Sequence, residues 1–153
     1  MKFSTMLISR DLEQTKAFYA KLFKMRVISD FVENITLTGG LSFQTIDSWS
    51  TFIHKDAKEI KLGGNDVEIY AEVDDLDAFV KLVEQEQVKL VHPLQTHSWG
   101  QRGLRIYDPD MHIIEIAEPL SIVVKRFFKE GLSVEQISEK TLLSVKIVQR
   151  MLK

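Results

Sequence analysis

The residues of this chain best suited to chemistry are acids, arginines and aromatics at strand spacing. Between Asp66 and Val73, Glu68, Tyr70 and Glu72 alternate with Val67, Ile69, Ala71 and Val73, so an extended segment sends its polar groups to one face and its aliphatic groups to the other. Leu104 to Tyr107 repeats the pattern, with Arg105 and Tyr107 opposite Leu104 and Ile106. In Ile113 to Ala117, Glu115 shares a side with Ile113 while Ile114 and Ile116 take the other. Such strands suit a sheet with helices behind it and a polar ligand in front, and they equally suit a sheet whose polar face meets only water. The rings of Tyr70, Tyr107 and nearby Trp99 favour the ligand, because bulky aromatics on a polar face mark binding surfaces.

Two chemistries are open to Glu68 and Glu115. Carboxylates that share an apolar-walled site repel, and the one that titrates high can serve as a general acid or base. Alternatively, Arg105 or Arg102 holds both ionised in an ion-pair cluster, which still leaves a guanidinium to meet an anionic ligand in bidentate fashion. His97 lies in Thr96-His97-Ser98-Trp99, on the loop before the Leu104 strand, where an imidazole can cover a pocket and move protons near neutral pH. A loop histidine can also be a plain surface residue. His112 is expected to be exposed, His92 to end a strand beside Pro93, and His54 has no evident role.

Positioning these groups takes two similar halves. The first reads as a strand from Lys2 to Ser9, then a helix capped by Asp11 with Leu12, Thr15, Phe18, Tyr19 and Leu22 at helical spacing. Extended segments follow at Arg26 to Phe31, Asn34 to Thr38 and Leu41 to Ile46, with turns at Glu33-Asn34 and Gly39-Gly40. A short amphipathic helix fits Ser48 to Lys55, with Trp49, Phe52 and Ile53 on one face. After Gly63-Gly64-Asn65 the order recurs: a strand from Asp66 to Val73, a helix carrying Leu76, Phe79, Val80 and Val83, and strands at Val88 to Val91, Leu104 to Tyr107 and Ile113 to Ala117. The phrase Ser9-Arg10-Asp11-Leu12-Glu13 returns as Val73-Asp74-Asp75-Leu76-Asp77, 64 positions later, which marks an internal repeat.

Beyond Pro119 the strand pattern stops, and three helices are expected at Leu120 to Lys129, Ser133 to Lys140 and Ser144 to Leu152, with Ser133 and Ser144 as N-caps. From Glu118 onward there are seven Lys/Arg and four Asp/Glu, a balance of +3 against −2 for the whole chain, which leaves the body at −5. The last two helices resemble a helix-turn-helix that would present Lys146, Gln149 and Arg150 to DNA. The basic stripe is thin for a groove reader, which normally also carries a third supporting helix of its own. Packing of Ile137, Leu142, Val145, Val148 and Leu152 on the body or on a sister subunit is the preferred reading, with the tail an appendage lacking a core of its own.

The 153 residues, 44% apolar and 27% charged, suit one soluble domain or two small modules. The absence of cysteine removes disulfides, thiolate metal sites and cysteine nucleophiles, and it agrees with a cytoplasmic location. There is no apolar run long enough for a membrane span and no global basic field for nucleic acid.

The segment from Trp99 through Gly100, Arg102, Asp108-Pro109-Asp110 to Glu115 resembles the closing signature of the vicinal oxygen chelate superfamily, which includes glyoxalase I, bleomycin and fosfomycin resistance proteins and extradiol dioxygenases. Asp11-Leu12-Glu13 with Phe18-Tyr19 resembles its opening strand and helix. The resemblance covers roughly residues 1 to 118 and implies an α+β fold: two βαβββ modules (1–60 and 61–118) forming a curved, mostly antiparallel sheet around a cup, followed by a helical tail at 119–153. It also implies homodimerisation. Metal-dependent members carry up to four cup ligands, and the corresponding positions here are Ser4, Gln44, Glu68 and Glu115. This set lacks the imidazoles that help to select zinc, nickel or iron, so no tight transition metal is expected; Glu68 and Glu115 remain possible ligands for a weakly held Mg²⁺ or Mn²⁺. A histidine two residues before Trp-Gly-Gln-Arg recurs in one branch of the superfamily, which strengthens His97. Met111 stands where the family prefers glycine, so a left-handed turn there would carry a cost or need support from packing.

Three functions are therefore open. The first is a metal-poor binder or enzyme for a small polar or anionic ligand, with Arg102 and Arg105 as anchors, Gln44, Tyr70, Trp99 and Tyr107 lining the cup, and Glu68, Glu115 and His97 as acid–base groups. The second is a divalent-metal lyase or isomerase of glyoxalase I type. The third is a ligand-sensing regulator whose tail reads DNA, although nucleic acid is not the favoured partner.

Overall fold

The computed structural model of the chain describes residues 4–153, so Lys2 and Phe3 of the first expected strand lie outside the described residues. Its strands form two four-stranded sheets: β1 (Thr5–Ser9), β2 (Val27–Asp30), β3 (Asn34–Leu37) and β4 (Leu41–Thr45) in one, and β5 (Glu68–Glu72), β6 (Leu90–Thr96), β7 (Arg102–Tyr107) and β8 (Ile113–Ala117) in the other. Both run in the same order, first strand beside last and then backwards: β1-β4-β3-β2 and β5-β8-β7-β6. In the first sheet β1 is parallel to β4, while β3 is antiparallel to both β4 and β2. In the second, β6 and β7 are antiparallel. The helices are α1 (Leu12–Phe23), α2 (Ile46–Ile53), α3 (Leu76–Gln85), α4 (Leu120–Lys129), α5 (Val134–Thr141) and α6 (Val145–Met151). Among the described residues, no helix is long and apolar enough to cross a membrane. The α+β architecture and the repeat are thus both present.

The chain divides into two compact units, one holding residues up to Glu68 with Tyr107–Ile113, the other Ile69–Ile106 with Ile114–Lys153. In the first, Asp11 caps α1 by accepting from the backbone N–H groups of Glu13 and Gln14 at 2.9 and 3.1 Å. Leu12, Thr15, Tyr19 and Leu22 then fall on one buried face. Tyr19 packs against Phe43 at 5.0 Å between ring centroids, with Leu7, Ile35 and Leu37 completing the core. Its hydroxyl donates to Asp108 Oδ2 at 3.1 Å; burial first, and then the Asp108 charge, pushes the phenol far above its usual range.

Asp108 also organises its own turn. Its Oδ1 accepts from the backbone N–H groups of Asp110 and His112, and its Oδ2 accepts from His112 Nδ1 at 2.8 Å. His112 is therefore buried, not exposed as the polar turn suggested. Met111 does take the left-handed conformation, at φ 69°. The Asp108 bonds hold the backbone on either side of it, and it packs so closely on Gly63 that a Cβ there would come within 3.0 Å of its own.

Three boundaries differ from expectation. The first turn falls at Phe31-Val32-Glu33, where Asp30 Oδ1 accepts from Val32 N–H, rather than at Glu33-Asn34. Helix α2 starts at Ile46 because Thr45 caps it, and Ser48 lies inside. Strand β6 runs straight through Pro93, which places His92 inside the strand rather than at its end. An edge position allows this: β6 ends its sheet, and its register shifts on both sides of His92. Phe52 of α2, expected on a packed face, is 72% exposed.

In the second unit Asp75 repeats the task of Asp11, capping α3 through Ala78 N–H at 2.9 Å, and Leu76, Phe79 and Val83 are buried. Leu104, Ile106, Ile114 and Ile116 are all at most 1% exposed, as strand alternation requires. The tail does bury a cluster of its own: Val123, Val124, Phe127, Ile137 and Val148. This cluster joins the expected α4 to α5 and α6, while Lys146, Gln149 and Arg150 are exposed on α6. The tail meets the second sheet at Gly100, whose φ of 88° and closeness to the Phe127 ring leave no room for a Cβ.

Gly100→Ala is expected to cost about 2 kcal/mol or more in urea denaturation, from overpacking and the left-handed backbone together. In the double variant with Phe127→Leu the two costs should add to less than their sum. A loss below about 0.5 kcal/mol in the single variant would contradict this seating of the tail.

Candidate functional site

Alternation on β7 and β8 does more than fill the core. With Leu104, Ile106, Ile114 and Ile116 turned inward, Arg105 and Glu115 share the opposite face of adjacent strands. Arg105 Nη2 donates to Glu115 Oε2 at 2.5 Å. Arg105 Nη1 lies 3.1 Å from His92 Nε2, and His92 Nδ1 lies 2.8 Å from the Pro93 carbonyl oxygen. A carbonyl only accepts, so Nδ1 carries the proton and Nε2 accepts from the guanidinium. Arg105 is thus oriented from both ends.

The β6–β7 hairpin brings a second histidine to the same carboxylate. His97 N–H donates to the Gln101 carbonyl and Gly100 N–H to the His97 carbonyl, both at 2.8 Å, closing a tight loop that only the positive φ of Gly100 completes. The loop stacks the His97 ring on Trp99, 4.3 Å between centroids and 4° from parallel. His97 Nε2 sits 3.6 Å from Glu115 Oε1, beyond hydrogen-bond reach, and is a buried ring nitrogen without a hydrogen-bond partner among the described residues.

Two residues that strand parity did not single out tie this face together. Gln101 is buried; its Oε1 accepts from Trp99 Nε1 at 2.9 Å, and its Nε2 donates to the Tyr70 hydroxyl at 3.0 Å and the Glu118 carbonyl at 2.8 Å. Tyr70 in turn donates to Glu72 at 3.1 Å. Burial, with Glu72 beside it, holds the Tyr70 phenol above its ordinary range, against the opposing effect of the Gln101 amide. The second such residue is Glu118, 1% exposed, which accepts from the Arg102 backbone N–H and Nε and from both terminal nitrogens of Arg126 at 2.8 to 3.2 Å. Arg102 also clamps Asp77 at 3.1 and 3.4 Å, so its nitrogens bond to Glu118 and Asp77 rather than Glu115. The signal for Glu118 was faint: an acid closing an aliphatic strand, with an arginine eight residues later on the next helix.

The remaining candidates lie in the first unit. Gln44 is buried on β4 and donates to Ser48 Oγ at 2.8 Å, beside a pocket of about 470 Å³ lined by Phe31, Trp49 and Phe52. Tyr107 donates to Asn65 Oδ1 at 2.7 Å. Glu68 opens β5 and is exposed, as is Ser4. Among the described residues, no three of His, Cys, Asp and Glu gather as ligands of one metal ion.

Residues 3–121 match the family model described as a glyoxalase-like domain. A search of curated proteins returned no match. Among solved structures, the chain is similar to a protein of unknown function from Agrobacterium tumefaciens str. C58, with 29% identity, a TM-score of 0.69, and coverage of 78% of this chain and 94% of that one. It is also similar in fold to a glyoxalase/bleomycin resistance protein/dioxygenase family enzyme from Burkholderia phytofirmans PsJN (17% identity, TM-score 0.66, 75% and 95% covered). A lactoylglutathione lyase from Agrobacterium tumefaciens matches at 20% identity and a TM-score of 0.62, covering 78% of this chain and 94% of the other.

The Glu118 clasp yields a pH test. Burial raises its carboxyl, but Arg126, the Arg102 backbone N–H and the Arg102 side chain outweigh burial and hold it below its ordinary value of 4.5. A depressed folded value means stabilisation that is full above the ordinary carboxylate range and lost as pH falls through the folded one. Glu118→Gln should cost about 1–3 kcal/mol at neutral pH, at the low end for a broken buried pair because both guanidinium groups are part-exposed and screened. In urea melts the gap between the two proteins should narrow as pH falls below the ordinary carboxylate range; a gap unchanged with pH would contradict the ionised clasp.

Proposed function

Because the chain belongs to the glyoxalase-like domain family of the vicinal oxygen chelate superfamily, we propose that it binds a small polar or anionic molecule on the polar face of its second sheet and moves a proton there. The observation that carries this reading is the buried, unpartnered His97 Nε2. Burying an imidazole nitrogen without a hydrogen bond costs about 1–3 kcal/mol, a cost that a ligand donor or acceptor reaching that atom would relieve.

The residues divide the work by their chemistry. Arg105, fixed between His92 and Glu115, presents a guanidinium to an oxyanion. Trp99 and Tyr70 supply flat walls, held in place through Gln101. His97 takes or gives the proton at Nε2, and Glu115, 3.6 Å away, stabilises the imidazolium that results. This pairing resembles a base held next to a carboxylate, except that the contact is loose enough for a ligand atom to share it.

A divalent ion fits this donor set poorly. Glu115 already faces a guanidinium charge at 2.5 Å, and a metal would have to displace it. Arg102 remains a candidate for the rim of this face, while Gln44, Glu68 and Tyr107 belong to the first unit and take no part in this site.

Saturation-transfer NMR with lactate, mandelate and salicylate tests the proposal on the purified chain. The tightest of the three should bind at least about tenfold more weakly to Arg105→Gln, a loss of about 1.4 kcal/mol. His97→Gln should weaken binding about fivefold or more, a loss of about 1 kcal/mol, because relief of the buried Nε2 is removed. No transfer signal from any of the three, or an affinity unchanged in Arg105→Gln, would overturn it.

A further inference from the structure

The family match ends at residue 121, and α4 and α5 lie almost wholly beyond it, yet these helices close a pocket of about 610 Å³ against the β6–β7 hairpin. We propose that this seam is a second binding site, for a small phosphate monoester, built by the helical extension and distinct from the polar face of the sheet.

Charge is the first argument. The charged side chains in the lining are Arg102, Arg126 and Lys140; no carboxylate lines it. Glu118 bonds to both arginines and Asp77 to Arg102, so their guanidinium charges are largely balanced, while both arginines stay about one-third exposed. Lys140 holds its ammonium 4.2 Å from the centre of the Phe127 ring and forms no ion pair among the described residues. Two part-exposed guanidinium groups and an unbalanced ammonium around a concavity suit the several oxygens of a phosphate better than the two of a carboxylate.

Hydrogen bonding is the second. The hydroxyls of Thr96 and Ser98 line the pocket and have no side-chain partner among the described residues. They supply neutral donors beside the cations, as phosphate oxygens require. The volume lies within the usual range for small-molecule sites and leaves room for an organic body beyond the phosphate. Phe127, pressed on Gly100, forms an apolar floor for that body. A concave pocket of this size takes a small molecule rather than a nucleic acid backbone; the exposed Lys146, Gln149 and Arg150 of α6 do not line it. His97 and Arg102 line this seam as well, so the two sites meet at these residues.

Titration of the full chain with glycerol 3-phosphate, followed by amide chemical shifts at low salt, is the test. Shifts centred on Ser98, Gly100, Arg126 and Lys140 are expected, with binding at least fivefold weaker in Lys140→Gln and in Ser98→Ala. Both changes are at partly or fully exposed side chains, and unchanged spectra elsewhere establish that the variants are folded. Arg105→Gln should leave this titration unchanged, which separates failure here from failure of the polar-face reading. Absence of shifts, shifts centred on Arg105, affinity unchanged in Lys140→Gln, or equal binding of lactate at the same residues would each overturn the proposal.

Discussion

The ion cluster at Glu118 holds the second unit together. One buried carboxylate, at the end of β8, fixes the first residue of β7 through Arg102 and the first long helix of the tail through Arg126. The same Arg126 reaches the Gly100 carbonyl, so the hairpin that carries His97 and Trp99 is anchored by the same side chain. An ion at that depth is tolerated only because four nitrogen donors surround it; with fewer, its desolvation would exceed what the pairing returns. The position of the candidate acid–base group therefore follows from an interaction that contains none of its atoms.

The two arginines of β7 show how one strand can divide its charge. Arg102 bonds to Glu118 and Asp77 and acts as a brace between elements. Arg105, three residues on, meets a carboxylate and an imidazole on the sheet's polar face, where a ligand can also reach it. Residue type alone does not separate these roles; their neighbours do.

Much of this was legible in the sequence where local rules act alone. Strand alternation put Glu115 and Arg105 on one face and Leu104, Ile106, Ile114 and Ile116 in the core, because a period of two leaves no freedom once one face is buried. Asp11, Ser133 and Ser144 cap their helices as their types require. What local rules could not reach depends on distant partners. Gln101 and Glu118 lie at strand ends, where alternation is silent, and they are buried because of Tyr70, α4 and each other. His112 is buried because Asp108 folds its turn back around it, and β6 passes Pro93 because nothing pairs with its outer edge.

The matching strand orders and the two aspartate caps 64 positions apart describe a unit written twice. The copies have since parted in electrostatic character. On β4 the inner strand offers Gln44, a neutral amide satisfied by a serine hydroxyl; on β8 it offers Glu115, a carboxylate set between an arginine and a histidine. The two frames share one strand order, and the one followed by the helical tail carries the Arg105–Glu115 pair. A scaffold of this kind can keep one half conservative for folding while the other is free to change its chemistry.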